Sequence, residues 1–589
     1  MHADGDGRMP RLNRPLAGLI LALVLTGLWS SARADAVDVA IEGVEGALLD
    51  NVRAMLSITA DRSDEEVTER SVRRLHRRAP DEIRRALEPF GHYDPEIEKD
   101  LARGDDGAWR ASYRIDPGPR VRFTDVTIDI RGEAANDRAF AELRTELPLK
   151  SGVPLVHADY DSTRQRIMQL AAARGYFDAN WKRNVLQIDP GALEARAELI
   201  LDSGPRYAFG EVTFEQNELD DEFLRGFLPF EPGDPWESAR VLDLQYALDD
   251  SDYFLRVDVR PQRDRARGGR VPIRVRLEPR PRNRYTFGIG FGTDTGARVS
   301  AGWENRRFNR SGHSFDTRVE VAEISNRVSA RYRIPLADPA RERLVFETSL
   351  GTEEIGDAET RQFEIGARRI EQRGRYQASV SIDYQRNDDT IGDETTQRNL
   401  VMPGAGLSYS RFDDPIYATR GFRLGAYISG GTETFGSDVS FLRGRLQGDG
   451  VLRLWDGGRL LVRGEIGTVE VDDVDRLPLS RRFFTGGDDS VRGFDYQSLG
   501  PVNEDGDVVG GRHLAVGSIE LEQLIAGNWG AAVFMDAGNA MNDWSVNLRR
   551  SAGVGLRYRS PVGMFRVDVA KATDGDESAR LHLSLGVDL

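Results

Sequence analysis

Apolar and polar residues alternate one for one over the last stretch of the chain. Leu581, Leu583, Leu585, Val587 and Leu589 fall on one face, and His582, Ser584, Gly586 and Asp588 on the other. Successive side chains of a strand point to opposite sides, so this segment predicts a strand with one greasy and one wet face. The run from Ala579 to Leu589 has the length of a tilted strand that crosses a bilayer. Similar runs begin near Tyr285, Ala297, Ser314, Arg327, Leu344, Gln362, Tyr376 and Met402. Others begin near Phe422, Val439, Leu460, His513, Ala531, Arg550, Gly563 and Ala579. Together they predict an all-β transmembrane barrel of about sixteen antiparallel strands, an even number that returns both ends to one side. A closed cylinder is the strand arrangement that satisfies every backbone group in lipid.

Upstream of Arg284 helical and strand periods mix, and the pattern repeats at about 80 residues. Each repeat has a turn after a helix: Phe90-Gly91-His92-Tyr93-Asp94, Arg174-Gly175-Tyr176-Phe177-Asp178, and Ser251-Asp252-Tyr253-Phe254. Each closes on a strand and an acidic turn, at Ile115–Pro119, Leu201–Pro205 and Leu277–Pro281. Matching strands, Val121–Ile130 and Tyr207–Phe214, open the next unit. Ser63 with Glu66 reads as a capping box ahead of Val67, and Val241, Leu244 and Leu248 form an apolar helical stripe. The arginine-rich stretch Arg70–Arg85, interrupted by Asp81 and Glu82 and preceded by Glu69, reads as a solvated helix face. The implied unit is a small mixed sheet with helices on one face, in β-α-α-β-β order. Short sheets leave edges that accept an extended guest strand; the plainer alternative is that the units are spacers. Val271–Leu277, one short linker from Tyr285, is expected to offer such an edge nearest the barrel mouth.

The N-terminus reads as an export signal: Arg11 and Arg14, an apolar run from Leu16 to Trp29, then Ala32-Arg33-Ala34. Cleavage is expected after Ala34, with Met1 or Met9 as the start. The expected organisation is a signal peptide at 1–34, α+β units at 35–118, 119–204 and 205–282, and the barrel at 283–589. Mean hydropathy is only -0.48, as befits strands whose alternate residues face lipid. The absence of cysteine excludes disulfides and thiolate chemistry, and a net charge of -16 argues against nucleic acid as a partner. No G-x-S-x-G, H-E-x-x-H or Walker loop occurs, so no enzyme is expected. Gly288-Ile289-Gly290-Phe291-Gly292 lacks the Lys and Ser/Thr of a phosphate loop and sits in the first barrel strand. The seven histidines do not cluster along the chain, and neither metal nor cofactor is expected.

About 40 residues separate the strand ending near Glu470 from the one opening near His513, and loops this long are usually functional or disordered. They contain Phe484-Thr485-Gly486-Gly487-Asp488-Asp489-Ser490-Val491-Arg492-Gly493-Phe494-Asp495-Tyr496. Aromatics, an arginine and permissive glycines suggest a loop built to fold against a polar lumen, with no charge-poor apolar core of its own. The tetrapeptide Val491-Arg492-Gly493-Phe494 is joined by Gly517-Ser518-Ile519-Glu520, Phe534-Met535-Asp536 and a glycine-rich hairpin, Ser551–Gly563. In these motifs and their order the chain resembles the outer-membrane assembly-factor superfamily that includes BamA and TamA, behind repeats that resemble POTRA domains. Three repeats and the ending Leu585-Gly586-Val587-Asp588-Leu589 resemble the TamA branch; BamA-like members have five units and two-partner secretion transporters two.

The resemblance implies a protein of the Gram-negative outer membrane with its N-terminal domains in the periplasm. Its implied work is to insert or translocate β-rich clients, autotransporters among them, with a contribution to phospholipid supply to the outer-membrane lipid. The implied partner is an inner-membrane-anchored, periplasm-spanning protein like TamB. A BamA-like general assembly factor and a two-partner secretion transporter are the alternatives. Arg492 is expected to fold into the lumen with Val491, Gly493 and Phe494 and to pair with Asp536 and Glu520. The seam between the first and last strands is expected to open laterally. Gly288, Gly290 and Gly292 weaken one side of it, and Gly586 permits a kink in the strand that ends at Leu589.

Overall fold

Each N-terminal unit is built around a strand that alternates apolar-in and polar-out. In the first unit Ala111, Tyr113 and Ile115 of the strand Trp109–Asp116 are buried, and the helices cover that face. The computed structural model describes residues 37–586 apart from 60–67, 106, 295, 356–357, 393, 545–546, 562 and 575–577. The expected signal segment, Ser63, Glu66 and Val67, and Leu589 lie outside the described residues. The first unit runs β1 (Asp38–Glu42), α1 (Gly46–Met55), α2 (Glu69–Leu87), β2 (Glu96–Arg103) and β3 (Trp109–Asp116). The second runs β4 (Arg122–Arg131), α3 (Arg138–Glu146), α4 (His157–Ala173), β5 (Asn180–Asp189) and β6 (Glu194–Asp202). The third runs β7 (Ala208–Glu215), α5 (Asp221–Arg225), α6 (Ser238–Asp249), β8 (Phe254–Pro261) and β9 (Arg270–Pro279). The β-α-α-β-β order therefore recurs three times.

In all three sheets the last strand lies in the middle: β1-β3-β2, β4-β6-β5 and β7-β9-β8. That corrects the expectation for Val271–Leu277. The segment is the central strand β9, parallel to β7 and antiparallel to β8, so its edges are already paired. Val271, Ile273, Val275 and Leu277 are all buried, which is why it reads as a strong strand. The helix stripe Val241, Leu244 and Leu248 is buried on α6 as read. Helix α2 is capped by Thr68, whose hydroxyl accepts from the Ser71 N–H. Its Glu82 is not solvated: it is buried and accepts from the Ser57 N–H and hydroxyl at 2.9 and 2.8 Å.

The chain divides into two compact bodies, the first two units and then the third unit with the barrel. Within the second body the third unit is fixed to the turn after the second barrel strand. Buried Arg307 donates to the Arg280 and Tyr253 carbonyls at 2.8 and 3.1 Å. Arg306 pairs with Asp252 at 3.0 Å and Arg310 with Asp220 at 2.8 Å. The parts of the unit that grip the barrel are thus the start of α5, the turn before β8 and the linker after β9.

The barrel begins with β10 (Asn283–Gly292), β11 (Gly296–Asn305), β12 (Ser314–Ala322), β13 (Ser325–Pro335), β14 (Glu342–Ile355) and β15 (Ala358–Arg373). It continues with β16 (Tyr376–Ile391), β17 (Glu394–Phe412), β18 (Arg420–Gly431), β19 (Phe441–Trp455) and β20 (Gly458–Val471). After the long loop come β21 (His513–Ala526), β22 (Trp529–Met541), β23 (Arg549–Ser560), β24 (Gly563–Ala572) and β25 (Arg580–Gly586). These form one 16-stranded antiparallel sheet in sequence order. No ladder joins β10 to β25 among the described residues, so the cylinder is nearly closed, with its discontinuity at that seam.

The outer wall is apolar, with Phe287 and Ile289 of β10 85% and 88% exposed. Aromatic residues at the periplasmic strand ends meet in pairs, Tyr376 with Tyr409 and Trp529 with Tyr558, as a membrane-interface girdle does. No described helix is long and apolar enough to cross a membrane. The largest misplacement of a strand start is at β17, expected near Met402 and found at Glu394. Residues 394–402 pair with β16 alone, and the ladder to β18 begins only at Gly404, just past Pro403. This extension carries no alternating lipid face.

Candidate functional site: the lumenal loop and the barrel seam

The loop between Val471 and His513 folds back among the strands. Its neck is closed by bridges Phe483↔Gly511 and Thr485↔Leu499. Arg482, buried inside it, donates to the Leu477 and Val509 carbonyls at 2.9 and 3.0 Å. Its outer turn is fastened to β16: the Leu479 N–H donates to Asp389 at 3.0 Å and Arg481 to Gln385 at 2.6 Å. The loop also has the apolar packing that its sequence was expected to lack. Val474, Leu477 and Phe483 are buried with Leu400, Met402, Phe441, Val469 and Leu514 of the strands, and Val491 and Phe494 with Ala572. The extended strand tops supply the apolar partners.

At the loop tip Arg492 enters a wall of carboxylates. Its Nε and one terminal nitrogen donate to the two oxygens of Asp536 at 2.8 and 2.9 Å, a two-pronged match of guanidinium and carboxylate. The other terminal nitrogen donates to Glu520 at 2.8 Å and to Asp568 at 3.0 Å. The Arg492 backbone N–H donates to Asp536 as well, at 3.2 Å, and its guanidinium lies 3.3 Å from the Phe534 ring centre. Arg492, Asp536, Glu520 and Asp568 are all buried.

The network continues into residues that the motif reading did not single out. Arg557 donates to Glu520 at 2.5 Å and Glu522 at 2.9 Å and pairs with Asp568; Arg459 donates to Glu522 at 2.7 Å. Ser518, Glu520 and Glu522 are the inward alternates of one strand, and Arg557 stands in the quoted hairpin Ser551–Gly563. Period-two alternation was the available signal for all of them.

The same loop touches both strands of the seam. The Gly493 N–H donates to His582 Nε2 at 3.0 Å. That nitrogen is therefore an acceptor, so in the neutral ring Nδ1 carries the proton and faces Asp488. Arg580 pairs with Asp495 at 2.7 Å. On the other side, the Asp488 N–H donates to Asp294 at 2.5 Å, and the Thr293 hydroxyl reaches Asp488 at 3.3 Å. The Leu583 N–H of β25 donates to the Thr293 hydroxyl at 3.1 Å. The segment 487–495 thus ties the tip of the β10–β11 hairpin to β25. Gly288 and Gly290 face Ser300 and Arg298 of β11, whose side chains occupy the space a Cβ would take, so these glycines also relieve crowding. Gly292 ends β10, and the backbone of Gly586 pairs with Met564.

Histidines do not cluster in the sequence, yet the fold brings His582 together with Asp294 and Asp488, their ligand atoms within 4.8 Å of one another. Internal hydrogen bonds engage all three side chains. Burial raises the Asp294 carboxyl to about 6; the Asp488 N–H opposes the shift and the Asp488 charge adds to it. A carboxyl with a folded value above its unfolded one favours the folded state most below its unfolded value, and that contribution fades as pH rises toward the folded one. Wild type should therefore lose stability relative to Asp294→Asn between about pH 4 and pH 6. Parallel thermal unfolding curves for the two proteins across that window would contradict this. At Gly493, φ is +94° and an added Cβ would stand 3.2 Å from the Ala572 nitrogen. Gly493→Ala should cost roughly 1–3 kcal/mol by forcing a left-handed conformation on alanine, read as a lower denaturant midpoint.

A nearly closed 16-stranded barrel behind three small α+β units, with a loop drawn into its lumen, defines a class: an outer-membrane β-barrel protein with periplasmic POTRA domains. Residues 283–588, over half the chain, match the Omp85 superfamily domain, and the chain belongs to that superfamily. Residues 38–117 match the POTRA domain described as TamA domain 1, and 207–280 the POTRA family described as surface antigen variable number repeat.

Among curated relatives, the outer membrane protein assembly factor BamA of Nitratidesulfovibrio vulgaris is 32% identical over 123 residues, 19% of this chain and 16% of that protein. BamA of Neorickettsia risticii is 30% identical over 227 residues, 34% of this chain and 29% of that protein. The chain thus matches under a third of the length of these relatives. The crystal structure of Haemophilus ducreyi BamA lacking POTRA domains 1–3 superposes with a TM-score of 0.65 at 18% identity, over 78% of this chain and 98% of that one, a likeness of fold.

Proposed function

We propose that this protein is the outer-membrane component of a TamA-like module that inserts or translocates β-rich clients such as autotransporters and contributes to phospholipid supply. Its units are set at 35–118, 119–204 and 205–282, and its barrel at 283–589. The observation that carries the reading is the combination of three POTRA-like units with a first unit that matches TamA domain 1. A periplasm-spanning partner like TamB follows from it. The second reading is a general assembly role like that of BamA, the name both curated relatives carry.

The mechanism rests on the seam. With no shared ladder among the described residues, separating β10 from β25 sacrifices few of the backbone bonds that cost several kcal/mol each in lipid. A client strand would pair with the exposed edge and restore them. In this reading Arg492 holds the loop, and the loop tip holds the two seam strands until a client arrives. In the third unit the free edge of β8, beside exposed Leu255 and the exposed Leu242 and Tyr246 of α6, suits an incoming extended chain. Affinity capture of the full-length protein from envelope extracts should recover a TamB-like partner in near-stoichiometric amount. Recovery of outer-membrane lipoproteins in its place would favour the general assembly role.

A further inference from the structure

We propose that the barrel lumen holds a binding site for a phosphate monoester, centred on Arg443 of β19. A cavity of about 680 Å³ lies against the inner wall of β18–β20 beneath the loop, lined by seven arginines and five carboxylates in a chain whose net charge is -16. Most of these charges neutralise one another. Arg445 pairs with Glu465 at 2.5 Å, Arg423 with Asp449 at 3.0 Å, and Arg481 lies 3.8 Å from Glu364. Asp489, on the loop, is the one lining carboxylate that makes no ion pair among the described residues.

Arg443 is different. It forms no ion pair among the described residues, and its Nε is buried without a hydrogen-bond partner. Its guanidinium lies 4.3 Å from the Phe483 ring centre, which orients it without neutralising it. The charges that face it are Arg481, Arg445 and Glu465, and the last is already held by Arg445.

Farther along the same wall, the side chain of Arg463 also forms no ion pair or hydrogen bond among the described residues. The carboxylates that face it, Glu520 and Asp536, are engaged by Arg492 and Arg557, and Arg492 and Arg566 face it as cations. Uncompensated guanidinium in a partly desolvated wall is unfavourable, and a bound anion removes that cost. Arg482 is held by Asp475 outside the lining at 3.2 Å, so Arg443 and Arg463 are the two lining guanidiniums without an ion pair among the described residues, and together they suit the charge of a phosphate monoester near neutral pH. The planar fork of arginine matches phosphate oxygens. The cavity also leaves room beside the phosphate for a glycerol-sized group. The loop covers this space from the extracellular side, so the anion enters from the periplasmic side, either as a free ester or as a lipid headgroup. The proposal does not depend on which client the barrel handles.

Phenylglyoxal modification of the full-length protein in detergent micelles, mapped by peptide mass spectrometry, tests it. Glycerol phosphate or inorganic phosphate should protect Arg443 while leaving exposed Arg138 reactive; protection by phosphatidic acid in mixed micelles but by neither free compound would assign the site to a lipid headgroup. Arg443→Gln should weaken the protecting compound roughly tenfold or more, followed by its ³¹P signal. Should that variant fail to fold, protection in the unmodified chain still decides. Equal modification of Arg443 with and without all three compounds would overturn the proposal.

Discussion

Arg492→Ala is expected to lower the stability of the folded barrel by roughly 3–5 kcal/mol, the cost of leaving a buried carboxylate without its counter-charge. The carboxylate affected most is Asp536, which is fully buried. Glu520 and Asp568 keep Arg557 when Arg492 is lost, whereas Asp536 keeps the Ser518 hydroxyl at 2.6 Å and the backbone N–H of residue 492 at 3.2 Å, neither of which is a counter-charge. This difference gives the prediction a second arm. Adding Asp536→Asn to Arg492→Ala removes the stranded charge and should recover part of the loss, because two residues in direct contact do not contribute additively. Arg580→Ala, at the more exposed pair with Asp495, should cost no more than about 1 kcal/mol. Urea unfolding in lipid or detergent, followed by the heat-modifiable shift of folded barrel on gels, reads all of these. An Arg492→Ala protein that unfolds with the parent would remove the loop anchor from the account.

The strands were the most legible part of the chain because lipid imposes its own period. Wherever one face meets hydrocarbon, apolar residues recur at every second position, and starts such as Ser314, Tyr376, His513 and Gly563 read directly as strand starts. Legibility failed where that constraint ends. The upper half of β17 stands beyond the lipid-facing pattern and shows no alternation. Its inward Leu400 and Met402 pack on the loop, which is also why the apolar packing under the loop went unread.

Strand order in the soluble units was hidden for another reason. Alternation identifies β9 as a strand but carries no information about which neighbours it takes, and the parallel pairing of β7 with β9 places it centrally. At the candidate site the motifs led to Arg492, Asp536 and Glu520, and the fold brings these three together. Asp568, Glu522 and Arg459 look like any other inward polar residue of a wet lumen. His582 was legible only as the polar side of the last strand, since its partners Asp488 and Gly493 lie about ninety residues earlier in the sequence.

The second large effect is expected at the seam. The chain contains no cysteine, so paired cysteines introduced at Thr293 and Leu583 would form the only possible disulfide. The Thr293 hydroxyl already lies 3.1 Å from the Leu583 backbone nitrogen, placing the two residues on facing edges of the hairpin tip and β25. Oxidation would join the two ends of the sheet across the discontinuity without touching the Arg492 network or the soluble units. Each single-cysteine variant supplies the baseline, since Thr293→Cys gives up the hydroxyl contacts to Asp488 and to the Leu583 N–H while leaving the seam free to open.

The measurement that bears most directly on lateral opening is client assembly by this double-cysteine protein, oxidised and reduced, in the same reconstituted membranes. The account predicts that the oxidised form stays folded but stops inserting client strands, and that a reductant restores insertion to the level of the single-cysteine variants. If the locked barrel inserts its clients as well as the reduced one, the seam does not open in function.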